Sequence, residues 1–456
     1  MNLFGTDGIR DLAGKGKLTP ESILRIARAV AAALKNAPSL FSRSNKTFNR
    51  KRPKVLLSLD TRSSGHMIRG SLLSGLLASG VDILYAGVTP APACSFLTRH
   101  FRCDCGIFIS ASHNPNEYNG IKFFDRDGFK ITEKLEHLIE NYYESLTPSE
   151  GEIGSYTYRE DSLEIYTNTL VEWALKRFDL RGRRIVVDCA NGAVTYVIPE
   201  LFNRLGAYVY LLNSNPDGRN INRGGALFPS KTAKEVKRVS AYIGFSFDGD
   251  GDRVIAVDEK GNICDGDNFI SIYARYLKNE KKLSNNTVVA TVMSNFGLEH
   301  SLKEAGIRLL RTKVGDRYVL EEMLKSNAVL GGEQSGHIIL LDRTHTGDGI
   351  WTALSLLEVM QKTNTPLSSL NGRIKRYPQI LINVPTERKI PFEQIPNLSE
   401  QLKEAEAKLH GEGRILLRYS GTEPIVRLMV EGKSKTLVKE IAEKIANFLE
   451  KTLKHS

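Results

Sequence analysis

The N-terminal third of the chain alternates between helix-like and strand-like stretches. Residues 19–35 carry apolar side chains at helical spacing, with Thr19 placed to cap the helix and Pro20 in its first turn. The stretches that follow predict a strand at 55–59, a helix at 66–79, and strands at 81–86 and 106–110. Such alternation predicts an α/β domain with buried strands.

The same rhythm restarts twice, and the tail of the chain then differs from it. The two later sets predict strand, helix and strand at 184–188, 194–205 and 207–213, and again at 287–293, 297–305 and 308–314. The tail predicts strands at 380–384, 414–418 and 426–431 and amphipathic helices at 397–409 and 434–449. We therefore expect an α/β protein with three related α/β domains and a smaller C-terminal α+β domain. The expected domains span residues 1–150, 157–255, 256–368 and 375–456.

Charge and composition narrow the possible partners. The 456 residues include 63 Lys and Arg against 52 Asp and Glu, a formal net charge of +11. A basic chain attracts phosphate on small substrates, membranes or nucleic acids. The dense basic stretch 42–54 holds a single aromatic residue, so base stacking has little support and we expect no nucleic-acid partner. The N-terminus lacks the features of a signal peptide, and no apolar run approaches the ~18 residues of a membrane span, so we expect a cytoplasmic protein without a membrane partner.

The loop Asp248-Gly-Asp-Gly-Asp-Arg253 is the strongest chemical signal. Its glycines let the backbone turn, so that Asp248, Asp250 and Asp252 can converge on one point. Clustered carboxylates repel each other unless a cation lies among them, and hard oxygen ligands suit Mg²⁺. A calcium loop of the EF-hand type is disfavoured, because its sixth position needs Gly and holds Arg253 here, and because a strand is predicted next. A solvated acidic turn is the remaining alternative.

A second polar loop, Ile109-Ser-Ala-Ser-His-Asn-Pro115, follows a predicted buried strand. Ser112 stands on a tight turn beside His113 and Asn114, which suits a nucleophile or phosphoacceptor. No G-x-S-x-G sequence surrounds it, so a hydrolase elbow is unsupported. Taken alone, the loop is equally typical of a capping turn, because Ser and Asn favour such turns.

Two further loops combine glycines with polar side chains. Gly331-Gly-Glu-Gln-Ser-Gly-His337 offers donors and acceptors suited to sugar hydroxyls or an amine. Arg418-Tyr-Ser-Gly-Thr-Glu-Pro424, with Arg427 beyond it, supplies two arginines, two hydroxyls and free backbone N–H groups, as a phosphate site does. Either loop alone is also compatible with an ordinary turn. Weaker polar stretches lie at 4–10, 60–64, 119–122 and 314–317.

Taken together and in this order, the loops resemble those of the α-D-phosphohexomutase family over nearly the whole chain. The match is closest to the branch that acts on hexosamine phosphates, and it is carried by residues 4–10 (Phe-Gly-Thr-Asp-Gly-Ile-Arg), 109–115, 331–337 and 418–424. The resemblance implies four domains around a central cleft, each contributing one loop. Two departures stand out: Asp11 follows Arg10 where relatives usually have Gly, and the stretch 42–54 looks like an insertion.

The resemblance also implies a role for each loop. Ser112 would carry a phosphoryl group and, with Asp248, Asp250 and Asp252, would bind one Mg²⁺ per subunit. The polar residues implied around the phosphoserine are Arg10, His113, Lys122 and Arg253. Those implied to bind the sugar are Glu333, Gln334, Ser335 and His337, and those implied to bind its non-reacting phosphate are Arg418, Ser420, Gly421, Thr422 and Arg427.

The implied reaction interconverts glucosamine 6-phosphate and glucosamine 1-phosphate. Phospho-Ser112 would donate its phosphoryl group to the phosphorylated hexosamine and then take back the other phosphate of the 1,6-bisphosphate, so a sugar 1,6-bisphosphate would act as activator. His113 or Lys122 would carry the hydroxyl proton. The alternatives are a phosphomannomutase or phosphoglucomutase of the same mechanism, and a phosphosugar-binding protein that has lost turnover. The subunit state stays open between monomer and homodimer.

Overall fold

The structure, a computed structural model, describes residues 3–5, 7–43, 50–145, 152–372, 374–386, 390–419 and 424–453. The chain divides into two compact units, residues 1–293 with 307–372, and residues 294–306 with 373–456. Within the described residues, four sheets of six, five, four and three strands follow one another along the chain. The predicted fold class of three α/β domains and a smaller C-terminal domain is confirmed. Among the helices of the described residues, none is long and apolar enough to cross a membrane.

In the first sheet, the strand that precedes the Ser112 loop lies in the interior of the sheet. Its strands are β1 (Ile9–Leu12), β2 (Lys54–Leu59), β3 (Asp82–Val88), β4 (Cys105–Ile109), β5 (Tyr118–Asp125) and β6 (Tyr156–Tyr158), in the order β1-β5-β4-β2-β3-β6. Strand β4 pairs in parallel with β2 and antiparallel with β5, and all its residues are buried. The loop that follows β4 therefore starts from the interior of the sheet.

The helices of this first domain are α1 (Pro20–Asn36), α2 (Gly65–Ala78), α3 (Ala91–His100) and α4 (Glu133–Ser145). The predicted start of α1 is confirmed, since the side chain of Thr19 accepts a hydrogen bond from the Ser22 N–H at 3.3 Å and Pro20 lies in the first turn. The apolar face predicted for this helix is buried. It packs against α2 and α4.

The basic stretch 42–54 is described only at its ends, and residues 44–49 lie outside the described residues. Arg43 Nε lies 3.5 Å from Asp125 Oδ2, and Arg52 Nη2 lies 3.6 Å from Glu152 Oε2. At these described positions the positive charges are paired with acids of the same domain.

In the second sheet, two neighbouring strands form a hairpin whose loop is the acidic loop. Its strands are β7 (Arg184–Asp188), β8 (Tyr208–Leu212), β9 (Ile243–Phe247), β10 (Val254–Val257) and β11 (Ile263–Cys264), and its helices are α5 (Ser162–Leu175), α6 (Ile198–Arg204) and α7 (Ser230–Arg238). Phe247 of β9 faces Val254 of the antiparallel β10. Residues 248–253 are therefore a hairpin loop, and the strand after it is incompatible with an EF-hand, whose loop leads into a helix.

The third sheet places another polar loop in a hairpin. Its strands are β12 (Thr287–Thr291), β13 (Arg308–Thr312), β14 (Leu330–Gly332) and β15 (Ile338–Leu340). The helices of this part are α8 (Gly266–Asn279), α9 (Phe296–Glu304), α10 (Asp316–Ser326), α11 (Gly349–Lys362) and α12 (Leu367–Asn371), of which α9 belongs to the second compact unit. Gly332 faces Ile338 across the antiparallel β14 and β15, so residues 333–337 form the loop between them.

The second compact unit contains an antiparallel sheet covered by helices. Its strands are β16 (Gln379–Pro385), β17 (Gly413–Tyr419) and β18 (Ile425–Gly432), in the order β16-β18-β17, and its remaining helices are α13 (Leu398–Lys408) and α14 (Lys435–Leu453). Buried residues of β18 such as Val426 and Leu428 share a core with Ile441 and Ile445 of α14. Of the polar loop predicted at 418–424, Arg418 and Tyr419 are the last residues of β17 and Pro424 precedes β18, whereas residues 420–423 lie outside the described residues.

Candidate active site

Ser112 is held in an uncommon backbone conformation by hydrogen bonds on both sides. Its φ of 50° lies in the left-handed region, which costs energy for a residue with a side chain. Its N–H donates to Ser110 Oγ at 2.8 Å, and its carbonyl accepts from Asn222 Nδ2 at 2.7 Å and from Arg62 Nη2 at 2.9 Å. The residue is 1% exposed, so the surrounding structure determines where its hydroxyl lies.

The Ser112 hydroxyl contacts the acidic loop and a histidine. Its Oγ donates to Asp248 Oδ2 at 2.8 Å and lies 3.4 Å from His113 Nδ1. Burial lowers the pKa of His113 to about 4, and the positive charges of Arg253 and Arg10 contribute to this shift. The imidazole is therefore neutral near pH 7, so one of its ring nitrogens carries no proton.

The three aspartates of the acidic loop converge, as predicted. Carboxylate oxygens of Asp248, Asp250 and Asp252 lie within 4.8 Å of one another, and all three residues are buried. Gly251 makes the turn possible, because its φ of 73° is one that residues with a side chain rarely adopt. Burial raises the pKa of Asp248 well above its ordinary value, and repulsion from Asp252 and Asp250 raises it further.

One buried lysine partly offsets the charge of this cluster. Lys122 Nζ lies 2.8 Å from Asp250 Oδ2, 3.1 Å from Asp252 Oδ2 and 3.1 Å from Asp7 Oδ2. Burial alone would lower the pKa of Lys122, but the carboxylates of Asp250, Asp252 and Asp7 hold it well above its ordinary value. The ammonium group therefore stays charged beside the acidic loop.

Asp7 connects this lysine to further charges that the sequence analysis did not single out. Its carboxylate contacts Arg10, Lys122 and Lys130, and Lys130 also contacts Asp316. Burial would raise the pKa of Asp7, but Lys122, Lys130 and Arg10 together hold it well below its ordinary value. Asp7 and Asp316 lie in the polar stretches 4–10 and 314–317, whereas no motif surrounds Lys130.

Two buried carboxylate oxygens of the acidic loop, Asp250 Oδ1 and Asp252 Oδ1, accept no hydrogen bond from the described residues, and Arg253 Nε lies 3.8 Å from Asp252 Oδ1. A buried carboxylate oxygen without a partner is costly, and a hard divalent cation satisfies such oxygens. The residues present therefore fit a metal ion held by this loop.

The loop 333–337 lies directly beside the acidic loop. Arg253 and His337 form an isolated β-bridge, and Val254 N–H donates to the Gly336 carbonyl at 3.2 Å. His337 Nε2 lies 3.9 Å from Asp252 Oδ2, while Arg253 Nε lies 3.8 Å from Asp252 Oδ1. The structure thus brings the acidic loop and the loop 333–337 to the same place as Ser112.

Within that loop, the polar side chains face one another. Glu333 Oε1 accepts a hydrogen bond from the Gly315 N–H at 3.1 Å, and Ser335 Oγ lies 3.5 Å from Glu333 Oε2. The carbonyl of Gln334 accepts from the Gly266 N–H at 3.0 Å, which fixes the turn against α8. A carboxylate and a hydroxyl so placed can bind the hydroxyl groups of a sugar.

In the second unit, two predicted arginines face each other. Arg418 of β17 pairs in register with Arg427 of β18. Burial lowers the pKa of Arg418, and the charge of Arg427 lowers it further. Like charges directly opposite each other destabilise a sheet, and a bound anion removes this cost. Ser420, Gly421 and Thr422 lie outside the described residues.

Asp11, the departure beside Arg10, is engaged in a local turn. Its carboxylate accepts hydrogen bonds from the Leu12 N–H at 2.8 Å and the Lys17 N–H at 2.9 Å. Asp11 therefore has a structural role, because its side chain stabilises the turn that follows β1.

Comparison with known domain families decides the assignment. The alpha/beta/alpha domains I, II and III described as phosphoglucomutase/phosphomannomutase match residues 1–150, 164–261 and 265–377, and the C-terminal domain of the same description matches residues 381–448. The chain belongs to the phosphoglucomutase/phosphomannomutase family. The predicted family is thus confirmed, and the protein is a phosphosugar mutase, an enzyme of the isomerase class.

Relatives of similar length share this family over the whole chain. The phosphoglucosamine mutase of Alkaliphilus oremlandii is 45% identical over 459 residues, which cover 99% of this chain and 99% of the relative. The phosphoglucosamine mutase of Bdellovibrio bacteriovorus is 46% identical over 457 residues, which cover 99% of this chain and 98% of the relative.

Solved structures of the family share the fold. A phosphoglucomutase/phosphomannomutase family protein from Burkholderia thailandensis is 25% identical, with a TM-score of 0.80 over 99% of this chain and 97% of that chain. N-acetylphosphoglucosamine mutase of Aspergillus fumigatus, solved in complex with GlcNAc-6P and magnesium, is 15% identical, with a TM-score of 0.68 over 99% of this chain and 96% of that chain.

Proposed function

We propose that this protein interconverts glucosamine 6-phosphate and glucosamine 1-phosphate through a phosphoryl group carried on Ser112. One observation carries the mechanism: the buried hydroxyl of Ser112 lies 2.8 Å from Asp248, within a cluster of three carboxylates that fits a cation. The choice of an amino sugar is supported by relatives that are 45% and 46% identical and are named phosphoglucosamine mutase.

The proposed cycle has two phosphoryl transfers that balance each other. In the first, the bond between phosphorus and Ser112 Oγ breaks, a bond from phosphorus to O1 of glucosamine 6-phosphate forms, and the proton of the O1 hydroxyl is transferred to Ser112 Oγ. The resulting 1,6-bisphosphate reorients in the site. In the second, the bond between phosphorus and O6 breaks, a bond from phosphorus to Ser112 Oγ forms, the proton of the Ser112 hydroxyl is transferred to O6, and glucosamine 1-phosphate leaves. Because the bisphosphate is the intermediate, a sugar 1,6-bisphosphate can load unphosphorylated enzyme and act as activator.

We propose that Asp248, Asp250 and Asp252, together with phosphorylated Ser112, hold one Mg²⁺ per subunit. The support is the pair of buried oxygens on Asp250 and Asp252 that accept no hydrogen bond from the described residues, and the magnesium in the complex of the Aspergillus relative. When bound, the ion would neutralise charge on the transferring phosphoryl group.

The side chains around Ser112 supply further charge and a route for the proton. Arg10, Lys122 and Arg253 are the proposed positive charges beside the phosphoserine, since phosphoryl transfer depends mainly on positioning and charge stabilisation. Of the two residues predicted to carry the proton, His113 has its Nδ1 3.4 Å from Ser112 Oγ, while the Lys122 ammonium is shared among three carboxylates. We therefore assign proton transfer at the serine to His113.

We propose that the sugar and its second phosphate are held by the two remaining loops. Glu333, Gln334, Ser335 and His337 would bind the sugar, and the close carboxylate and hydroxyl of Glu333 and Ser335 support this role. The residues proposed for the non-reacting phosphate are Arg418, Ser420, Gly421, Thr422 and Arg427, supported by the facing pair of arginines on β17 and β18.

We propose that the four domains span residues 1–150, 157–255, 256–368 and 375–456. We propose a cytoplasmic location, supported by five cysteines that are all buried and form no disulfide among the described residues, as in a reducing compartment. The residues proposed to surround Ser112 and to hold the metal all lie in one chain. The proposed reaction therefore needs no second subunit, and it is compatible with a monomer and with a homodimer.

Phosphorus NMR tests the proposed substrate. The purified protein would be given Mg²⁺, a trace of glucose 1,6-bisphosphate and, separately, the 6-phosphates of glucosamine, glucose and mannose, with Ser112→Ala as control. We expect the fastest conversion with glucosamine 6-phosphate and none in the variant. Faster conversion of glucose or mannose 6-phosphate would retain the mechanism and replace the substrate. Binding of all three sugars without any conversion would favour a protein that has lost turnover.

A further inference from the structure

A buried pair of charges lies directly beneath the phosphoserine loop and has no role in the chemistry described so far. Asp60 and Arg62 follow β2, and both side chains are fully buried. Arg62 Nε donates to Asp60 Oδ2 at 3.0 Å, and the Arg62 N–H donates to Asp60 Oδ1 at 2.9 Å. The Asp60 N–H donates to the carbonyl of Ile109, the last residue of β4, at 3.0 Å.

The guanidinium group of Arg62 binds the loop through its backbone alone. Nη2 donates to the carbonyls of Ser112 at 2.9 Å and Asn114 at 2.8 Å. Nη1 donates to the carbonyls of Pro115 at 2.6 Å and Tyr118 at 3.0 Å. Three carbonyls of the loop and the carbonyl of Tyr118, the first residue of β5, therefore converge on a single side chain, an arrangement that needs the planar fork of an arginine.

Asp60 holds the same loop from the other side. Its Oδ2 accepts a hydrogen bond from Ser110 Oγ at 2.7 Å, and Ser110 Oγ in turn accepts from the Ser112 N–H at 2.8 Å. The N–H and the carbonyl of Ser112 are thus both connected to the Asp60–Arg62 pair. These contacts hold Ser112 at its φ of 50°, a conformation that persists only where the surrounding structure imposes it.

We infer that Arg62, held in place by Asp60, is the positioning residue that sets the geometry of the Ser112 phosphoryl carrier. This inference rests on the proposed function. Phosphoryl transfer needs the phosphorus atom, the leaving oxygen and the attacking oxygen nearly in line, so a small displacement of Ser112 slows the chemical step. Because Arg62 is fully buried against the loop backbone, its loss should alter transfer from Ser112 and leave the affinity for the sugar phosphate unchanged.

The test compares Arg62→Lys with a matched change elsewhere in the same domain. Lysine keeps the charge beside Asp60, but a single ammonium group cannot reach four carbonyls in the plane of a fork. Arg126→Lys is the control, because Arg126 is also buried and its Nη2 donates to Asp104 Oδ1 at 2.9 Å. Asp104 immediately precedes β4 and Arg126 immediately follows β5. The double variant Asp60→Asn/Arg62→Met removes both charges together, so that no buried carboxylate is left without its partner.

Three readouts separate positioning from folding. Steady-state rates give kcat and KM, rapid-quench experiments give the rate of transfer from preformed phospho-Ser112 to glucosamine 6-phosphate, and circular dichroism with thermal unfolding reports the fold. We expect Arg62→Lys to lower kcat and the single-turnover rate by roughly a hundredfold, with KM unchanged, as for a displacement of about 1 Å at a reacting group. The double variant should show the same loss of rate, and Arg126→Lys should keep the rate of the wild type.

The phosphorus NMR signal of the phosphoserine provides an independent measure. In the wild type and in Arg126→Lys we expect one narrow resonance, and in Arg62→Lys a shifted or broadened one, because the loop samples several positions. A folded Arg62→Lys protein with wild-type transfer rate and an unchanged resonance would overturn the inference. So would a folded double variant with the wild-type rate. A wild-type enzyme that forms no phosphoserine would instead refute the proposed function, so the two failures are distinguishable.

Discussion

Asp248→Asn should stabilise the protein when no metal is present. The carboxylate of Asp248 is buried beside those of Asp250 and Asp252, and its only close side-chain contact of those described is the hydroxyl of Ser112. Lys122, by contrast, lies next to the other two aspartates. Neutralising Asp248 therefore removes repulsion from two neighbours without breaking an ion pair at contact distance.

The expected gain follows from two limits. At an effective dielectric constant of about 20, two unit charges 4.8 Å apart repel each other by about 3.5 kcal/mol. Asp248 can escape this repulsion by binding a proton, which between its ordinary pKa of 3.8 and pH 7 costs at most about 4.4 kcal/mol at 1.36 kcal/mol per pH unit. The carboxylate accepts hydrogen bonds from the Ser112 hydroxyl and, at 3.1 Å, from the Arg253 N–H. Asparagine has a single acceptor oxygen and loses one of these two bonds, at a cost of about 1 kcal/mol. Since the attraction of Arg253 is lost as well, we expect a net gain of about 2 kcal/mol.

The gain should depend on pH in a defined direction. The folded-state pKa of Asp248 is raised above its unfolded value, so the folded wild type holds its proton more tightly, and its stability falls as pH rises above 3.8. At pH 5 the cost of protonating Asp248 in the folded protein is at most about 1.6 kcal/mol. The advantage of Asp248→Asn in metal-free protein should therefore be larger at pH 7 than at pH 5.

Thermal unfolding of the wild type and Asp248→Asn in EDTA, at pH 5 and at pH 7, measures how the gain in stability depends on pH. A Mg²⁺ titration of both proteins then measures the stabilisation by the metal. A cation that binds the folded state at 100 times its Kd stabilises it by about 2.7 kcal/mol, and this shift should be present in the wild type and largely absent in the variant. Asp188→Asn is the matched control, because Asp188 is also buried at the end of a strand, where it accepts hydrogen bonds from Ala190 and Asn213 outside the cluster. It should lower the unfolding temperature at both pH values. An Asp248→Asn protein that is destabilised as much as Asp188→Asn in EDTA would refute the reasoning.

Two further substitutions test the substrate loops. Glu333→Gln should lower kcat/KM by about tenfold for glucosamine 6-phosphate and for glucose 6-phosphate alike. The reason is that a hydrogen bond to a charged acceptor contributes about 1.5–3 kcal/mol, and both sugars offer hydroxyls to the carboxylate. An unchanged kcat/KM in steady-state assays would exclude Glu333 from the sugar site. Arg418→Met should raise KM by about tenfold or more, because a charged hydrogen bond to the phosphate is lost. Its unfolding temperature in phosphate-free buffer should be equal or higher, because repulsion from Arg427 is relieved. A lower unfolding temperature with unchanged KM would contradict a phosphate-binding role.

The parts of the site that the sequence predicted are those written in consecutive residues. The alternation of aspartate and glycine at 248–252 and the apolar runs on either side were sufficient to predict a loop that gathers carboxylates, and the hairpin of β9 and β10 provides it. Thr19 and Pro20 likewise predicted the start of α1. The catalytic roles of Ser112 and its neighbours stay predictions, because they concern events on a substrate.

The rest of the site depends on contacts between distant residues. Lys130 meets Asp7 and Asp316 from 123 and 186 positions away, and isolated charges in a sequence carry no pattern that predicts such meetings. Arg62 stood only within a short polar stretch, yet it binds four carbonyls between Ser112 and Tyr118. Helix α11 was not predicted, because it is buried on nearly all sides and so lacks the polar face that marks a helix in a sequence.

The most direct test of the central claim follows the phosphoryl group itself. The enzyme would be loaded with ³²P-labelled glucose 1,6-bisphosphate, digested, and the labelled peptide sequenced, with a parallel sample chased with unlabelled glucosamine 6-phosphate before digestion. We predict that the label lies on Ser112, that the chase moves it into sugar phosphate at the rate of turnover, and that Ser112→Ala takes up no label. Label on another residue, or turnover by Ser112→Ala near the wild-type rate, would contradict the account.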